Sequence, residues 1–189
     1  MDESSAKSGE DEVQESFNIT LRHIALSDVD DFMVWATDDR VTKFCLWDTY
    51  TSKEQAVEYI KNQAIPHPWL RAVCLGNHVI GTITVDPCSG SGSCRAELGY
   101  VLAHKHWGKG IATRAVKMVV STIFKDWPHL QRLQAVVHVE NKGSQRVLEK
   151  AGFQREGVLR SYELFKGKPV DVVMFSTLGN DSSLVDLSS

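Results

Sequence analysis

The run WGKGIAT, Trp107 to Thr113, limits the possible folds more than any other part of the chain. It follows a strand-like stretch, ELGYVL, and opens a helix-like stretch from Ile111 to Phe124. Gly108 and Gly110, one residue apart, let successive backbone N–H groups point inward with no side chain blocking approach. A helix that begins at the same place adds unsatisfied N–H donors and the positive end of its dipole. Such a turn suits an anion, and a pyrophosphate fits it best. Lys109 adds a mobile positive charge at the rim.

A second landmark is NKGSQRVLEKAGF, Asn141 to Phe153, directly after the apolar run LQAVVHV. Asn141 reads as an N-cap, and Gly152-Phe153 as a helix stop followed by a new strand. Val147, Leu148 and Ala151 fall on one face, as a helix packed on a sheet requires.

Around these landmarks the coarse order is strand, helix, helix, three strands, helix, strand, helix, two strands. Phe17 to Arg22 alternates as a first strand, and Ser27 starts a helix to near Thr37 with Asp28, Asp30 and Asp31 at its positive end. A capping box, Thr51 with Glu54 or Ser52 with Gln55, opens a helix to near Asn62. Trp69–Leu75 and Val79–Val85 flank Gly76-Asn77-His78 as a hairpin, and the loop PCSGSGS leads to Arg95–Leu102. Trp127-Pro128 breaks the chain before Arg132–Val139. The end reads as a hairpin around Lys166-Gly167, Phe153–Phe165 with Pro169–Thr177. The expectation is an α/β fold: one mixed, partly parallel central sheet of about seven strands with four helices.

Taken together, WGxGxA and N-x-x-S…G-F resemble the GNAT acetyltransferase superfamily, most closely its ribosomal-protein N-terminal acetyltransferase branch. AELGYVL at 96–102, WDTYTSKEQAVEYI at 47–60 and YELFKGKPVDVVMFS at 162–176 extend the resemblance over Phe17 to Leu178. It implies transfer of an acetyl group from acetyl-CoA to a primary amine, foremost a protein or peptide N-terminus. A small polyamine-like acceptor, or a non-catalytic module that binds acetyl-CoA, are the alternatives it leaves open.

Acyl transfer from a thioester to an amine needs a fixed thioester, a neutral amine and a stabilised leaving thiolate. The resemblance implies that Tyr100, Val101 and Leu102 pair with the pantetheine arm through their backbone, on a strand splayed from its neighbour. It implies that Gly108, Lys109, Gly110, Ile111, Ala112 and Thr113 hold the pyrophosphate. Asn141 would lie against the pantetheine arm and Ser144 near the thioester sulfur; both could equally be simple caps. Many members carry a tyrosine four residues after this serine, as acid toward the thiolate. Leu148 stands there instead, which turns attention to Ser144. Glu163 matches the glutamate proposed as base in the ribosomal-protein branch. Glu97 is the second candidate, although it could be a solvated charge or a partner of Arg95. His138 reads first as a satisfied sheet histidine. Phe44, Trp47, Tyr50 and Trp69 could wall an amine channel, though core packing explains most of them.

Composition bounds these readings. Residues 1–16 hold six acids and one lysine and read as a disordered acidic tail; 179–189 read as a second flexible tail. With a net charge of −3 for the whole chain, the domain between them, 17–178, is left mildly basic. That suits a phosphate-bearing cosubstrate and not nucleic acid. Neither a signal peptide nor a membrane-spanning run is visible, so a cytoplasmic protein, monomeric or weakly dimeric, is expected. The four cysteines lack C-x-x-C spacing and read as reduced thiols; no metal site is expected, since His104 and His106 have no second cluster. A dinucleotide-binding reading of G-x-G is opposed by Thr113 at the third glycine position and by AHKHW between strand and turn.

Overall fold

A computed structural model of the chain describes residues 18–181. The acidic tail at 1–16 therefore lies outside the described residues, as does 182–189. Seven strands form one sheet in the order β1-β2-β3-β4-β5-β7-β6. They are β1 (Ile19–Arg22), β2 (Leu70–Leu75), β3 (His78–Pro87), β4 (Arg95–Leu102), β5 (Arg132–His138), β6 (Gln154–Phe165) and β7 (Lys168–Leu178). Every neighbouring pair is antiparallel except β4 and β5.

Two apolar layers cover the sheet. On one face lie α4 (Ile111–Asp126) and α5 (Lys142–Lys150). The residues Ile111, Ala115, Val116, Val119, Val120 and Ile123 fall on one side of α4 at helical spacing and are buried. They meet Ala96, Leu98 and Leu102, the alternate residues of β4 that point the same way. The other face is covered by α1 (Val29–Ala36), α2 (Asp39–Thr42) and α3 (Lys53–Tyr59); Phe32 and Trp35 of α1, Ala56 of α3 and Ile60 just past it share one buried cluster with Leu70, Ala72 and Cys74 of β2.

The local signals explain where helices begin. Of the two capping boxes offered at α3, the chain uses Ser52 with Gln55: the Gln55 N–H donates to Ser52 Oγ, and Gln55 Oε1 accepts from the Ser52 N–H at 3.2 Å. The same Oε1 accepts from the Thr51 N–H at 2.8 Å, so one glutamine serves both candidate caps. The helix then runs on through a π-helical turn, Ile60–Ala64, past the expected end. α1 is preceded by a 3₁₀ turn, Leu26–Asp28, in which buried Asp28 accepts two hydrogen bonds from the Arg22 guanidinium at 2.7 and 2.8 Å. α2 is a four-residue helix that periodicity could not reveal; it is capped by Asp38, which accepts from the Arg40 N–H. Gly179 to Asp181, expected in a flexible tail, is tied down: Gly179 N–H donates to the Gln131 carbonyl, and Asp181 accepts from the Leu178 N–H at 2.8 Å. No helix among the described residues is long and apolar enough to cross a membrane.

One close approach sets the position of β4. A Cβ on Gly81 of β3 would lie 2.1 Å from the Val101 carbonyl oxygen. Only glycine permits the two strands to pair there in the observed register, Gly81 opposite Leu102. Gly81→Ala should therefore destabilise the protein by about 1–3 kcal/mol, as overpacking does, and displace β4 at the cleft described below. Denaturant unfolding with an unchanged midpoint would show that the strands yield without cost.

Candidate active site

β4 and β5 are joined only at Arg95, Ala96 and Glu97, opposite Arg132, Leu133 and Gln134. Beyond Glu97, β4 keeps β3 as a partner, and β5 continues against β7 to His138, but no register joins β4 to β5 among the described residues. The strands have separated. The opening is a cleft of about 610 Å³. It passes through the sheet, with the starts of α4 and α5 on one side and Val41, Phe44 and Cys45 on the other.

The α4 side presents donors. Gly108 and Gly110 have φ of 74° and 73°, the left-handed region that costs other residues strain. Gly110 is the N-cap of α4, and no side chain closes that end of the helix. A Cβ at either glycine would meet nothing within 4 Å, so the space over the turn is open. The N–H groups of Ile111, Ala112 and Thr113 thus stand uncapped at the cleft wall. The Trp107 indole N–H donates to the Leu102 carbonyl at 2.8 Å and pins the turn to the end of β4. His106 lines the same wall; its Nε2 is buried without a hydrogen-bond partner, and burial, with Lys105 and Lys109 nearby, pushes its pKa down.

The α5 side is fixed from two directions. Asn141 Oδ1 accepts from the Ser144 N–H at 3.1 Å, the cap expected from sequence. Buried Gln145 donates to the carbonyls of Val139 at 2.9 Å and His138 at 3.3 Å, holding the helix start against the end of β5. The Tyr100 hydroxyl lies 2.7 Å from Ser144 Oγ and 3.1 Å from the Ser144 carbonyl oxygen. Leu148 is fully buried in the core and takes no part in the cleft wall.

The opposite face carries the acids. Glu97 is half-buried and accepts from Gln134 Nε2 at 3.4 Å; its partner is this amide and not Arg95. Burial pushes the Glu97 carboxyl above its ordinary range, the Gln134 hydrogen bond opposes this, and the charges of Glu163 and Asp86 add to it. The two sequence-derived carboxylates are thus within electrostatic reach of each other. His138 stands on the same face of β5 as Gln134, its ring 5.6 Å from Phe44 and 5.7 Å from Phe165. Its Nδ1 accepts from the Glu140 N–H, as a satisfied sheet histidine would. Lys166, at the β6–β7 turn, donates to the Thr42 carbonyl and pairs with Asp48, so the hairpin closes against the segment after α2. The Cys45 thiol donates to the Val41 carbonyl and is pushed up to about 11 by burial, so it is no thiolate nucleophile.

The profile of the acetyltransferase (GNAT) domain family matches residues 18–154. The chain belongs to this family. It is 36% identical over 169 residues to the N-acetyltransferase p20 of Bacillus licheniformis, covering 85% of this chain and 92% of that protein. It is 34% identical over 84 residues to the putative ribosomal N-acetyltransferase YdaF of Bacillus subtilis, covering 44% of this chain and 45% of that one. Among solved structures, a RimL ribosomal L7/L12 α-N-protein acetyltransferase in complex with coenzyme A superposes with a TM-score of 0.74 at 20% identity, covering 86% and 95%.

As a GNAT protein the chain is an acetyl-CoA-dependent N-acetyltransferase, and its residues fit that cosubstrate. The uncapped helix start, the two left-handed glycines and the unpartnered Nε2 of His106 form a cradle that protein atoms leave unfilled. Of the residues expected to hold it, Tyr100, Val101, Leu102, Gly108, Gly110 to Thr113, Asn141 and Ser144 all line the one cleft; Lys109 stands exposed at its edge. The Leu102 carbonyl is already taken by Trp107, which leaves the rest of that edge for a pantetheine arm. Of the three candidate catalytic residues, only Ser144 lines the cleft; Glu97 and Glu163 lie outside its wall. Of the four aromatics considered, Phe44 alone lines it, while Trp47, Tyr50 and Trp69 pack in the two cores. Sequence reasoning missed His106 and Gln145. Gln145 had a readable signal, a polar residue on the buried side of a short amphipathic helix.

Gly110→Val would bring a branched side chain into the cradle and strain the left-handed backbone. Affinity for acetyl-CoA should fall at least tenfold, ~1.4 kcal/mol, by calorimetry on the folded variant. Unchanged affinity would remove the turn from the binding site.

Proposed function

We propose that this enzyme acetylates the α-amino group of a peptide or protein N-terminus, with Glu97 as the proton acceptor and Ser144 as hydrogen-bond donor to the departing thiolate. The observation that carries it is the Glu97 carboxyl: half-buried, held by Gln134, and made a stronger base by the adjacent charges of Glu163 and Asp86. An α-ammonium, with a pKa near 7.7–8.0, lies much closer to such a base than a lysine or polyamine nitrogen near 10.4. The similarity to YdaF, named for ribosomal N-acetylation, supports the same acceptor class. Glu97 takes a proton from the ammonium, the neutral amine attacks the thioester carbon, and the C–S electron pair leaves on sulfur. Because the Cys45 thiol stays protonated, transfer is direct and needs no acyl-cysteine step.

Mass spectrometry of products from an acetyl-CoA incubation should show acetylation of a peptide with a free N-terminus and none of the same peptide blocked there. Modification of a polyamine alone would overturn the acceptor assignment.

The carboxylates can be told apart by pH. A raised carboxyl pKa means that the base form of Glu97 appears at higher pH than for an ordinary glutamate. Glu97→Gln should lower kcat/KM at neutral pH by about 10²–10⁴, the usual range for a positioned base, and the deficit should shrink as rising pH neutralises the amine itself. Glu163→Gln should keep most activity and move the acidic limb of the profile to lower pH, because it removes a charge that holds the Glu97 proton on. Loss of activity in Glu163→Gln with a near-normal Glu97→Gln would transfer the base role to Glu163.

Ser144→Ala should lower kcat more than it raises KM for acetyl-CoA, the pattern of an interaction made in the transition state. A wild-type kcat would leave Ser144 as a helix residue only.

A further inference from the structure

The side chain of Tyr100 is set apart from its neighbours on β4. Ala96, Leu98 and Leu102, which point to the same face, are buried in the core. Tyr100 instead lines the cleft and ends on one residue of α5, with two acceptors in reach: Ser144 Oγ at 2.7 Å and the Ser144 carbonyl oxygen at 3.1 Å.

A phenol has one proton to donate. If it goes to the carbonyl, the short contact between the two hydroxyls is filled by the Ser144 proton, which then points at Tyr100 and away from the cleft. If it goes to Ser144 Oγ, that oxygen's acceptor site is occupied and its own proton is free. The two arrangements differ by rotation of two O–H bonds, with no movement of heavier atoms. A thiolate at the mouth of the cleft favours the second, because a hydrogen bond to an ion is about twice as strong as one between neutral groups.

We propose that Tyr100 is a positioning residue for leaving-group stabilisation: its hydroxyl donates to Ser144 Oγ and thereby turns the Ser144 proton toward the sulfur of departing coenzyme A. The inference rests on the reading of Ser144 given above. Neither hydroxyl is consumed. The C–S electron pair stays on sulfur, Ser144 holds the charge by a hydrogen bond, and the proton that finally neutralises the thiolate comes from solvent. Burial pushes the Tyr100 phenol further from ionisation, against the smaller opposing effect of its Ser144 bond, so it keeps its proton throughout. The phenol that the family places four residues after the serine is thus replaced here by one on the strand, which acts through the serine as a hydrogen-bond donor and not as an acid.

The test is a double-mutant cycle on the full chain, following thiol release from acetyl-CoA with an N-terminally free peptide. Tyr100→Phe should lower kcat about tenfold, the effect of one lost hydrogen bond, with KM for acetyl-CoA nearly unchanged. In the Ser144→Ala background, Tyr100→Phe should have no further effect, because the residue it acts through is gone. An equal loss in both backgrounds, or a rise in KM with kcat intact, would show that Tyr100 serves only packing or cofactor contact and would overturn the proposal. Slow Ser144→Ala with normal Tyr100→Phe sinks this inference alone, whereas normal Ser144→Ala sinks the reading of Ser144 beneath it. If Tyr100→Phe folds poorly, 3-fluorotyrosine at this position, a stronger donor of nearly the same shape, should raise kcat with Ser144 present and leave it unchanged with Ser144→Ala. A lower kcat, or a change independent of Ser144, would overturn it equally.

Discussion

The separation of β4 from β5 after three residue pairs is the constraint on which the rest of this molecule turns. A sheet strand that loses a neighbour leaves backbone N–H and C=O groups unpaired, and buried groups of this kind must find partners elsewhere. Here one carbonyl, that of Leu102, is satisfied by the Trp107 indole. The remaining edge faces a cleft and offers a ligand the hydrogen bonds that β5 withholds. The separation also explains how one substrate can reach another through the sheet, since the opening has α4 and α5 on one side and the Phe44 segment on the other.

That arrangement divides the electrostatics of the reaction between two faces. Helix starts belong to the α4–α5 face, where the uncapped N–H groups stand beside His106, whose pKa is pushed down by burial, an arrangement that suits phosphate. The carboxylates belong to the other, where Glu97 pairs in register with Asp86 and feels Glu163. Negative charges gathered on one side would compete with the cosubstrate if they shared the cradle; set across the sheet, Glu163 and Asp86 instead raise the basicity of Glu97, as the proposed proton transfer requires. Lys166 at the β6–β7 turn spends its charge on Thr42 and Asp48, which ties the hairpin to the segment after α2.

Much of this was legible in the sequence because the features are local. Glycine at 108 and 110, asparagine at 141 and the alternation of Arg95–Leu102 each express backbone geometry through residue type, and β4 and the start of α4 fall where these signals put them. α2 was not legible: four residues give no period, and its cap is a single aspartate. Nor was the order of the anchors on Glu97. Alternation gives its face, but which neighbour lies opposite depends on β4 and β5 pairing in parallel, with Gln134 in register. The bond from Gly179 to Gln131, just before β5, is likewise long-range, and tail composition conceals it.

Tyr100 shows most plainly how a sequence pattern and a structure assign the same residue differently. The motif reads it as backbone, one of three residues whose peptide groups meet a cofactor arm, and its edge of the strand is indeed free. Its side chain has a separate partner forty-four positions away. Leu148, at the position where a phenol is usual, is wholly buried in the same core cluster as Val116, Val119 and Phe175. A tyrosine there would have to displace packed side chains or bury its hydroxyl without a partner, each costing about 1–3 kcal/mol. On β4 the same group lines the cleft opened by the strand separation, where its hydroxyl has Ser144 to meet. The strand separation that admits the cosubstrate thus also makes room for a phenol that the helix cannot carry.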